Sequence, residues 1–423
     1  MNKVVAKNVS ELVHVFNNIR VPLSSKQRET LAKIYPYYGA QGIVDFVDNY
    51  LFDGEYILIA EDGENLKSNN QNICNIVQGK FWVNNHAHIV RANAKNSTKY
   101  LFYNFNRIKF EPYVTGSSQP KLNKENLLNI KAYVHENLND QKSIAKVLSD
   151  LDTKIELNNR INRELEAMAK TLYDYWFVQF DFPVRTLSGV EGYKSSGGKM
   201  VYNAELKREI PEGWEVKKLS EIANITMGQS PEGSSYNDDG IGEIFFQGST
   251  DFGWRYPTIR QYTTQPSRRA KAGDILLSVR APVGTLNIAD NDCCIGRGLA
   301  ALNSKSGYDS YLYYVMEYFK QIFDNRNNTG TTFGSITKDD LFSLKLVYPK
   351  DDILKKYNQS VCKYNQIILN NHKQNQQLSE LRDWLLPMLM NGQVVSTGST
   401  TRLPVTELVE GMAAEPSVEY KKG

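Results

Sequence analysis

The sequence predicts an α+β chain with an internal repeat. Two tandem β-rich domains are separated by two long helices, which pair as an antiparallel coiled coil about a pseudo-two-fold axis. Three observations carry this. Residues 115–131, TGSSQPKLNKENLLNIK, and 329–345, TGTTFGSITKDDLFSLK, align without a gap at an offset of 214, sharing Thr-Gly, a Lys, a Leu and the closing Lys. VSELVHVFNN (9–18) matches LSEIANITMG (219–228) in apolar spacing and in Ser-Glu; FDGEYILIA (52–60) resembles KAGDILLSV (271–279), a Gly-acid turn feeding an apolar strand. A heptad seam follows each Thr-Gly segment.

In chain order, residues 1–139 form the first domain. A helix follows over 140–180, N-capped by Asn139 or Asp140. Every third and fourth residue of it gives Leu148, Leu151, Ile155, Asn158, Asn162, Leu165, Ala169, Leu172 and Trp176. Residues 181–209, which include the Gly/Ser-rich SGVEGYKSSGGKM, are expected to be a flexible linker. The second domain spans 210–350 and its helix 351–391, with Pro387 expected to kink the last turn before Gly392. At an offset of 213 the second seam reads Val361, Tyr364, Ile368, Asn371, Asn375, Leu378, Arg382 and Leu385, with Arg382 breaking the pattern where the first helix has Ala169. Asn at a seam position costs stability but fixes register. Antiparallel pairing would set Asn158 against Asn375 and Asn162 against Asn371. The tail, 392–423, has turn formers and little periodicity, so disorder is expected there.

Bulk composition is that of a globular protein: 423 residues, 41% hydrophobic and 23% charged. No signal peptide and no membrane span are expected. Cys74, Cys293, Cys294 and Cys362 show no CxxC spacing, which suits reduced cytoplasmic thiols better than a disulfide framework or a zinc ribbon. The net charge of +3 is small, but its distribution is uneven. Residues 86–110 hold Arg91, Lys95, Lys99, Arg107 and Lys109 without an acid; residues 255–273 hold Arg255, Arg260, Arg268, Arg269 and Lys271 without one. Aromatics interleave both runs, a pattern that suits nucleic acid and also a solvated surface.

Catalytic constellations are missing from the sequence. There is no Asn-Pro-Pro-aromatic or Asp-Pro-Pro-aromatic motif for adenine methylation and no GxxxxGK[ST] for nucleotide binding. The HAH of His86 to His88 reads as strand rather than metal site. PEGWEVK (211–217) is too cramped for a nuclease cluster. Asp238-Asp239 reads as a loop tip and Asp351-Asp352 as a helix start.

YPYYGAQGIVDFVDNYLFDGEYILIAEDG (35–63), IPEGWEVKKLSEIA (210–223), both Thr-Gly segments and LRDWLLPMLMNGQV (381–394) resemble the specificity subunit of type I restriction–modification systems, over about residues 9–394. The first half lacks its own IPEGWE and is shorter at its entry. The resemblance implies two target-recognition domains, each reading one half of a bipartite, asymmetric double-stranded DNA target across an unspecified spacer. It implies a non-catalytic chain whose helices set that spacer and dock two modification (methyltransferase) subunits, with restriction (translocase and nuclease) subunits able to join. S-adenosylmethionine, ATP and Mg would then sit on the partners, and this chain would bind no cofactor and no metal itself. The seam from Leu148 to Trp176 would span roughly 42 Å at ~1.5 Å per residue, somewhat more than one B-DNA turn of ~34–36 Å.

Direct readout of base edges calls for Arg, Lys, Gln and Asn. Candidates in the first domain are Arg20, Lys26, Arg28, Tyr37, Tyr38 and Gln41, with Ser117, Gln119 and Lys121 from the Thr-Gly loop. In the second they are Arg255, Arg260, Arg268, Arg269, Arg280, Arg297, Thr331 and Thr332. Gly116 and Gly330 are expected at turns with φ > 0. Met168 and Tyr175, beside the seam, are candidates to face a partner. Two alternatives stay open: a fused enzyme whose motif is not evident, and a coiled-coil spacer subunit without specific DNA readout.

Overall fold

A computed structural model describes residues 3–68, 71–116, 119–185, 191–193, 199–328 and 335–393. The chain divides into two compact units, Met1–Asn158 with Lys373–Gly423, and Asn159–His372.

In the first unit, β1 (Val4–Asn8) pairs antiparallel with β8 (Lys131–His135). Between them lies a six-stranded sheet made of β2 (Val13–Val15), β3 (Tyr35–Gly39), β4 (Gly42–Val47), β5 (Phe52–Ala60), β6 (Cys74–Val83) and β7 (Ala87–Ala92). Its spatial order is β2-β7-β5-β6-β3-β4, with β3 and β6 parallel. Short helices α1 (Ser25–Glu29), α2 (Asn65–Ser68), α3 (Thr98–Phe105) and α4 (Lys124–Asn129) complete the unit. Alternation along β5 sends Ile57 and Ile59 into the main core with Tyr100, Leu127 and Val134, and Tyr56 and Leu58 into a second cluster with Phe81.

The second unit repeats this plan with breaks. β13 (Glu215–Lys218) pairs antiparallel with β23 (Lys345–Tyr348) as β1 pairs with β8. A four-stranded sheet runs β14 (Ala223–Met227), β22 (Leu299–Ser304), β19 (Ile275–Ser278), β20 (Leu286–Ile288). A five-stranded one runs β15 (Tyr236–Asn237), β17 (Tyr262–Thr263), β16 (Glu243–Phe246), β21 (Cys293–Ile295), β18 (Arg269–Ala270). Helices α6 (Leu219–Ile222), α7 (Asp309–Asn328) and α8 (Lys338–Ser343) belong here. The single strand β6 corresponds to β20 and β21 together, interrupted at 289–292 without any change of offset.

Registers locate the repeat residue by residue. Val13 faces Ala92 and Val15 faces Val90; Ala223 faces Ser304 and Ile225 faces Leu302. The match of 9–18 with 219–228 therefore holds in three dimensions at an offset of 210. The match of 52–60 with 271–279 is corrected by one residue. Ile57 faces Val90 as Ile275 faces Leu302, an offset of 218 rather than 219. The physical reason is the period of two: Ile275 and Leu277 enter the main core of the second unit and Leu276 the opposite cluster, so a one-residue slip would invert the strand.

The closing Lys of each Thr-Gly segment, Lys131 or Lys345, opens the last strand of its unit. The preceding helices, α4 and α8, lie 214 apart, N-capped by Asn123 and Thr337. Val9 N–H donates to Ile130 O at 2.9 Å, and Leu219 N–H to Leu344 O at 2.7 Å. These paired bonds explain why the two segments share a sequence: each ties its unit's last strand to its first helical turn.

Helices α5 (Leu138–Tyr173) and α9 (Asp351–Met390) run antiparallel. Asn137 Oδ1 accepts from Asn139 N–H at 2.7 Å, so the first helix starts two residues before the expected position; it ends in a wide turn over Asp174–Val178. Within the first unit, Asn158 Nδ2 donates to Asn375 Oδ1 at 2.8 Å, and Leu148 and Leu151 share a core with Leu378 and Leu385. Ile155 packs at the edge of that core. Within the second, Asn371 Nδ2 donates to Asn162 Oδ1 at 2.8 Å; Ala169 and Val361 are buried in one core, Tyr364 packs against it, and Ile368 is buried. Leu165 is half-buried. Arg382, the seam exception, is held by Asp152 at 2.8 Å, whose other oxygen accepts from Tyr103 at 2.5 Å. Pro387 lies inside the last turn of α9.

The expected linker over 181–209 contains ordered pairs. β9 (Pro183–Arg185) pairs with β10 (Glu191–Tyr193), and β11 (Met200–Asn203) pairs with β12 (Arg208–Pro211). Residues 186–190 and 194–198 of it lie outside the described residues, as does the tail from 394.

Candidate nucleic-acid interface

The ends of equivalent strands come together in each unit through the same backbone hydrogen bonds. In the first unit Asn84 N–H donates to Tyr38 O at 3.0 Å, Glu61 N–H to His86 O at 2.9 Å and Leu122 N–H to Glu61 O at 2.8 Å. In the second, Gly296 N–H donates to Phe246 O at 2.8 Å, Val279 N–H to Gly298 O at 2.9 Å and Ile336 N–H to Val279 O at 2.9 Å. This frame gathers the β3–β4 turn, the β6–β7 turn, the residues after β5 and the Thr-Gly loop at one edge of the first unit. The matching edge of the second holds 247–248, 279–281, 296–298 and 335. Backbone is common to both; side chains are not. His86 matches Gly298, Asn85 matches Arg297 and Asp62 matches Arg280.

Gln41, Asn85, His86, Gln119 and Lys121 are exposed at the first edge. His86 Nδ1 donates to Asp62 at 2.6 Å. Gly116 has φ of +86, and a Cβ there would meet Gln119 O at 2.5 Å, so the loop turn requires Gly. Beneath the edge lies a charged layer. Arg20 donates to Glu61 at 2.6 Å and to the carbonyls of Ala87 and Asn85, with Lys121 at 3.4 Å from Glu61. Burial alone would raise the Glu61 carboxyl, but the Arg20 hydrogen bond, the Arg20 charge and the Lys121 hydrogen bond outweigh it and hold the pKa below its ordinary value. His88 is buried; its Nε2–H donates to Leu122 O and its Nδ1 accepts from Asn17, which describes a neutral ring. Burial lowers its pKa accordingly.

Several sequence candidates are structural here. Arg20 is nearly covered, Arg28 is paired with Asp45 at 2.7 Å over the Tyr37 ring, and Tyr37 is 2% exposed. Tyr38 is half-buried against Phe81, and Lys26 is exposed on α1. Ser117 lies outside the described residues. Two residues of the first basic run are engaged within the unit: Arg91 lies over Tyr56, and Arg107 donates to Asn391.

In the second unit Arg255 is a correction. It is 1% exposed and ion-paired with Glu166, donates to Asn365 at 2.7 Å and lies over Tyr313 at 4.6 Å, so it holds the unit together and cannot reach a ligand. Arg260 is paired with Asp251, and Arg269 grips Glu243 with two nitrogens. Arg268, Arg280 and Arg297 are exposed. Gly296 and Gly298 flank Arg297 at such close approach that a Cβ on either would meet Gln247 within 2.9 Å. Thr331, Thr332 and Gly330 lie outside the described residues.

Asn85, Asp62 and Gln247 are not among the sequence candidates, and His86, read there as strand, lies in the turn before β7. The signal that finds them is the constant offset of 212 from β6–β7 to β20–β22, which sets 84–86 over 296–298. Among the described residues no group of three or more His, Cys, Asp or Glu is placed to hold a metal ion, and no helix is long and apolar enough to cross a membrane.

Each unit carries the same backbone frame, and within each a stretch of α5 pairs with a stretch of α9. The type I restriction modification DNA specificity domain matches residues 1–167 and 211–380, and the chain belongs to that family. It is 33% identical over 301 residues, 70% of this chain and 67% of the other, to a Methanocaldococcus jannaschii protein provisionally named as the type I restriction enzyme MjaX specificity subunit. It is 26% identical over 318 residues to the type I restriction enzyme MjaIX specificity subunit of the same organism, covering 70% and 69% of the two chains. The fold is that of the type I restriction-modification S subunit from M. genitalium, with a TM-score of 0.62 over 92% of this chain and 96% of that one at 15% identity.

Proposed function

We propose that this chain is a non-catalytic DNA specificity subunit in the cytoplasm, reading a bipartite asymmetric double-stranded target with one unit per half-site. The observation that carries the reading is the common backbone frame dressed with different side chains at matched positions, Asn85 against Arg297 and Asp62 against Arg280. The helix pair sets the length of the unspecified gap and offers a docking surface to two modification subunits; Met168 and Tyr175 stand exposed beside the seam. Those subunits supply S-adenosylmethionine and methylate adenine. Restriction subunits, with ATP and Mg, act on the same assembly. Phosphate contacts supply most of the affinity and base edges the sequence discrimination. The test is co-expression with a modification subunit and sequencing of methylated adenines in host DNA. A gapped, asymmetric motif that disappears when this chain is omitted is the expected result. A stable complex without any chain-dependent motif would leave the spacer subunit as the better description.

A further inference from the structure

The second edge differs from the first in one chemical respect. Of the six arginines that the sequence singles out in the second unit, Arg255, Arg260 and Arg269 are each ion-paired with a carboxylate. Arg268, Arg280 and Arg297 have no acidic partner among the described residues, and all three are exposed. Backbone bonds bring them together: Ile295 N–H donates to Arg268 O at 2.8 Å, one residue before Gly296, and Val279 N–H, one residue before Arg280, donates to Gly298 O at 2.9 Å. Arg297 is presented by a loop whose backbone is pinned on both sides, by Gly296 N–H to Phe246 O and Gly298 N–H to Gln247 O. Its own N–H donates to Ser230 Oγ at 3.2 Å, and Ser230 is bonded to Gln247. The backbone that carries Arg297 is therefore fixed, and only its side-chain rotamers remain to be ordered on binding.

At the matched positions of the first unit stand Asn85, exposed, and Asp62, a carboxylate that accepts from His86. Arg offers a two-donor fork suited to the O6 and N7 of guanine; Asn pairs a donor and an acceptor suited to adenine N7 and N6.

We infer that Arg297, with Arg280, reads guanine in the half-site of the second unit, and that Asn85 reads adenine at the matched place in the half-site of the first. This rests on the half-site reading proposed above. It goes further in assigning base chemistry to each edge, and it predicts that the asymmetry of the target arises at these two positions.

The experiment is the methylated motif obtained from the full chain co-expressed with its modification subunit, for the native sequence and for Arg297→Gln, Arg280→Gln and Asn85→Arg. The native motif carries guanine in one half. Arg297→Gln lowers methylation of guanine-bearing sites roughly tenfold or more and relaxes that one position, leaving the other half unchanged. Asn85→Arg shifts one position of the other half from adenine toward guanine. Recovery of each complex by size exclusion separates loss of reading from loss of folding. A gapped motif that no variant alters, or an even loss over all sites with the motif intact, would overturn the inference, the second result assigning the arginines to phosphate. The absence of any motif would overturn the half-site reading and this inference with it.

Discussion

Arg255→Met in the second unit is the sharpest probe of how that unit is held together. The guanidinium is 1% exposed and serves three partners: Glu166 by ion pair, Asn365 by a 2.7 Å hydrogen bond and the Tyr313 ring at 4.6 Å. Removing it leaves Glu166 with the hydroxyl of Tyr314, which donates to it at 3.1 Å. Breaking a buried pair from one side costs about 3–5 kcal/mol, because the remaining charge is stranded. The lost cation–π contact adds about 0.5–2 kcal/mol. Glu166 keeps 24% of its side-chain exposure, which lets water soften the penalty, so a total near the lower bound, about 3–4 kcal/mol, is expected. The double variant Arg255→Met with Glu166→Met removes both charges and should recover most of that loss, to within about 1 kcal/mol of native. Urea denaturation followed by fluorescence reads the second unit through Trp176 and Trp214, both buried in its core. A single variant that loses less than about 1 kcal/mol, or a double variant no more stable than the single, would refute the claim that a stranded charge sets the cost.

Three further outcomes follow from the same geometry. Leucine at both Asn158 and Asn375 should raise the thermal midpoint and loosen register, read as mixed species by light scattering; a single homogeneous species would contradict the register role of the Asn pairs. Gly116→Ala places a Cβ 2.5 Å from Gln119 O at φ of +86, so it should cost about 1–3 kcal/mol and weaken target binding through the Thr-Gly loop; unchanged stability would show that the loop tolerates another turn. Glu61 and His88 both have folded pKa values below their ordinary ones, so the unfolded chain holds more protons at intermediate pH and stability rises with pH. The His88 contribution is complete above its ordinary value of 6.5 and is lost as pH falls through the folded value; that of Glu61 is complete above 4.5 and lost below. His88→Gln should flatten the upper part of this slope, and an unchanged slope would place the titration elsewhere.

Much of the architecture was legible because it is written in local periodicity. The seam positions recur at three and four residues, and the two Asn of each seam leave one antiparallel registry in which all four find partners; those are the pairs observed. The Thr-Gly match was legible because the loop, the capped helix turn and the strand opening behind it are all short-range structures. The one-residue slip in the strand match has a physical origin: YILIA and the ILL of 275–277 are apolar at successive positions, so alternation within them does not mark which residue points where. The split of β6 into β20 and β21 leaves no mark on length. Burial of Arg255 was hidden for a different reason. Its place in a basic run suggests solvent, whereas its partners Glu166 and Asn365 come from helices remote in sequence. At the candidate edge, Lys, Arg and Gln were visible as residue types. Which of them are already neutralised depends on Asp45, Glu61, Asp251 and Glu243, and only packing shows that.

The central claim, that each unit reads its own half-site on a common frame, is tested most directly by replacing residues 210–350 with the corresponding segment of a relative that carries different side chains at the edge. The methylated motif would be determined for both chains in complex with the same modification subunit. The account predicts that one half of the motif changes while the other half and the gap stay as they were. A change in both halves, or a change in gap length alone, would contradict it.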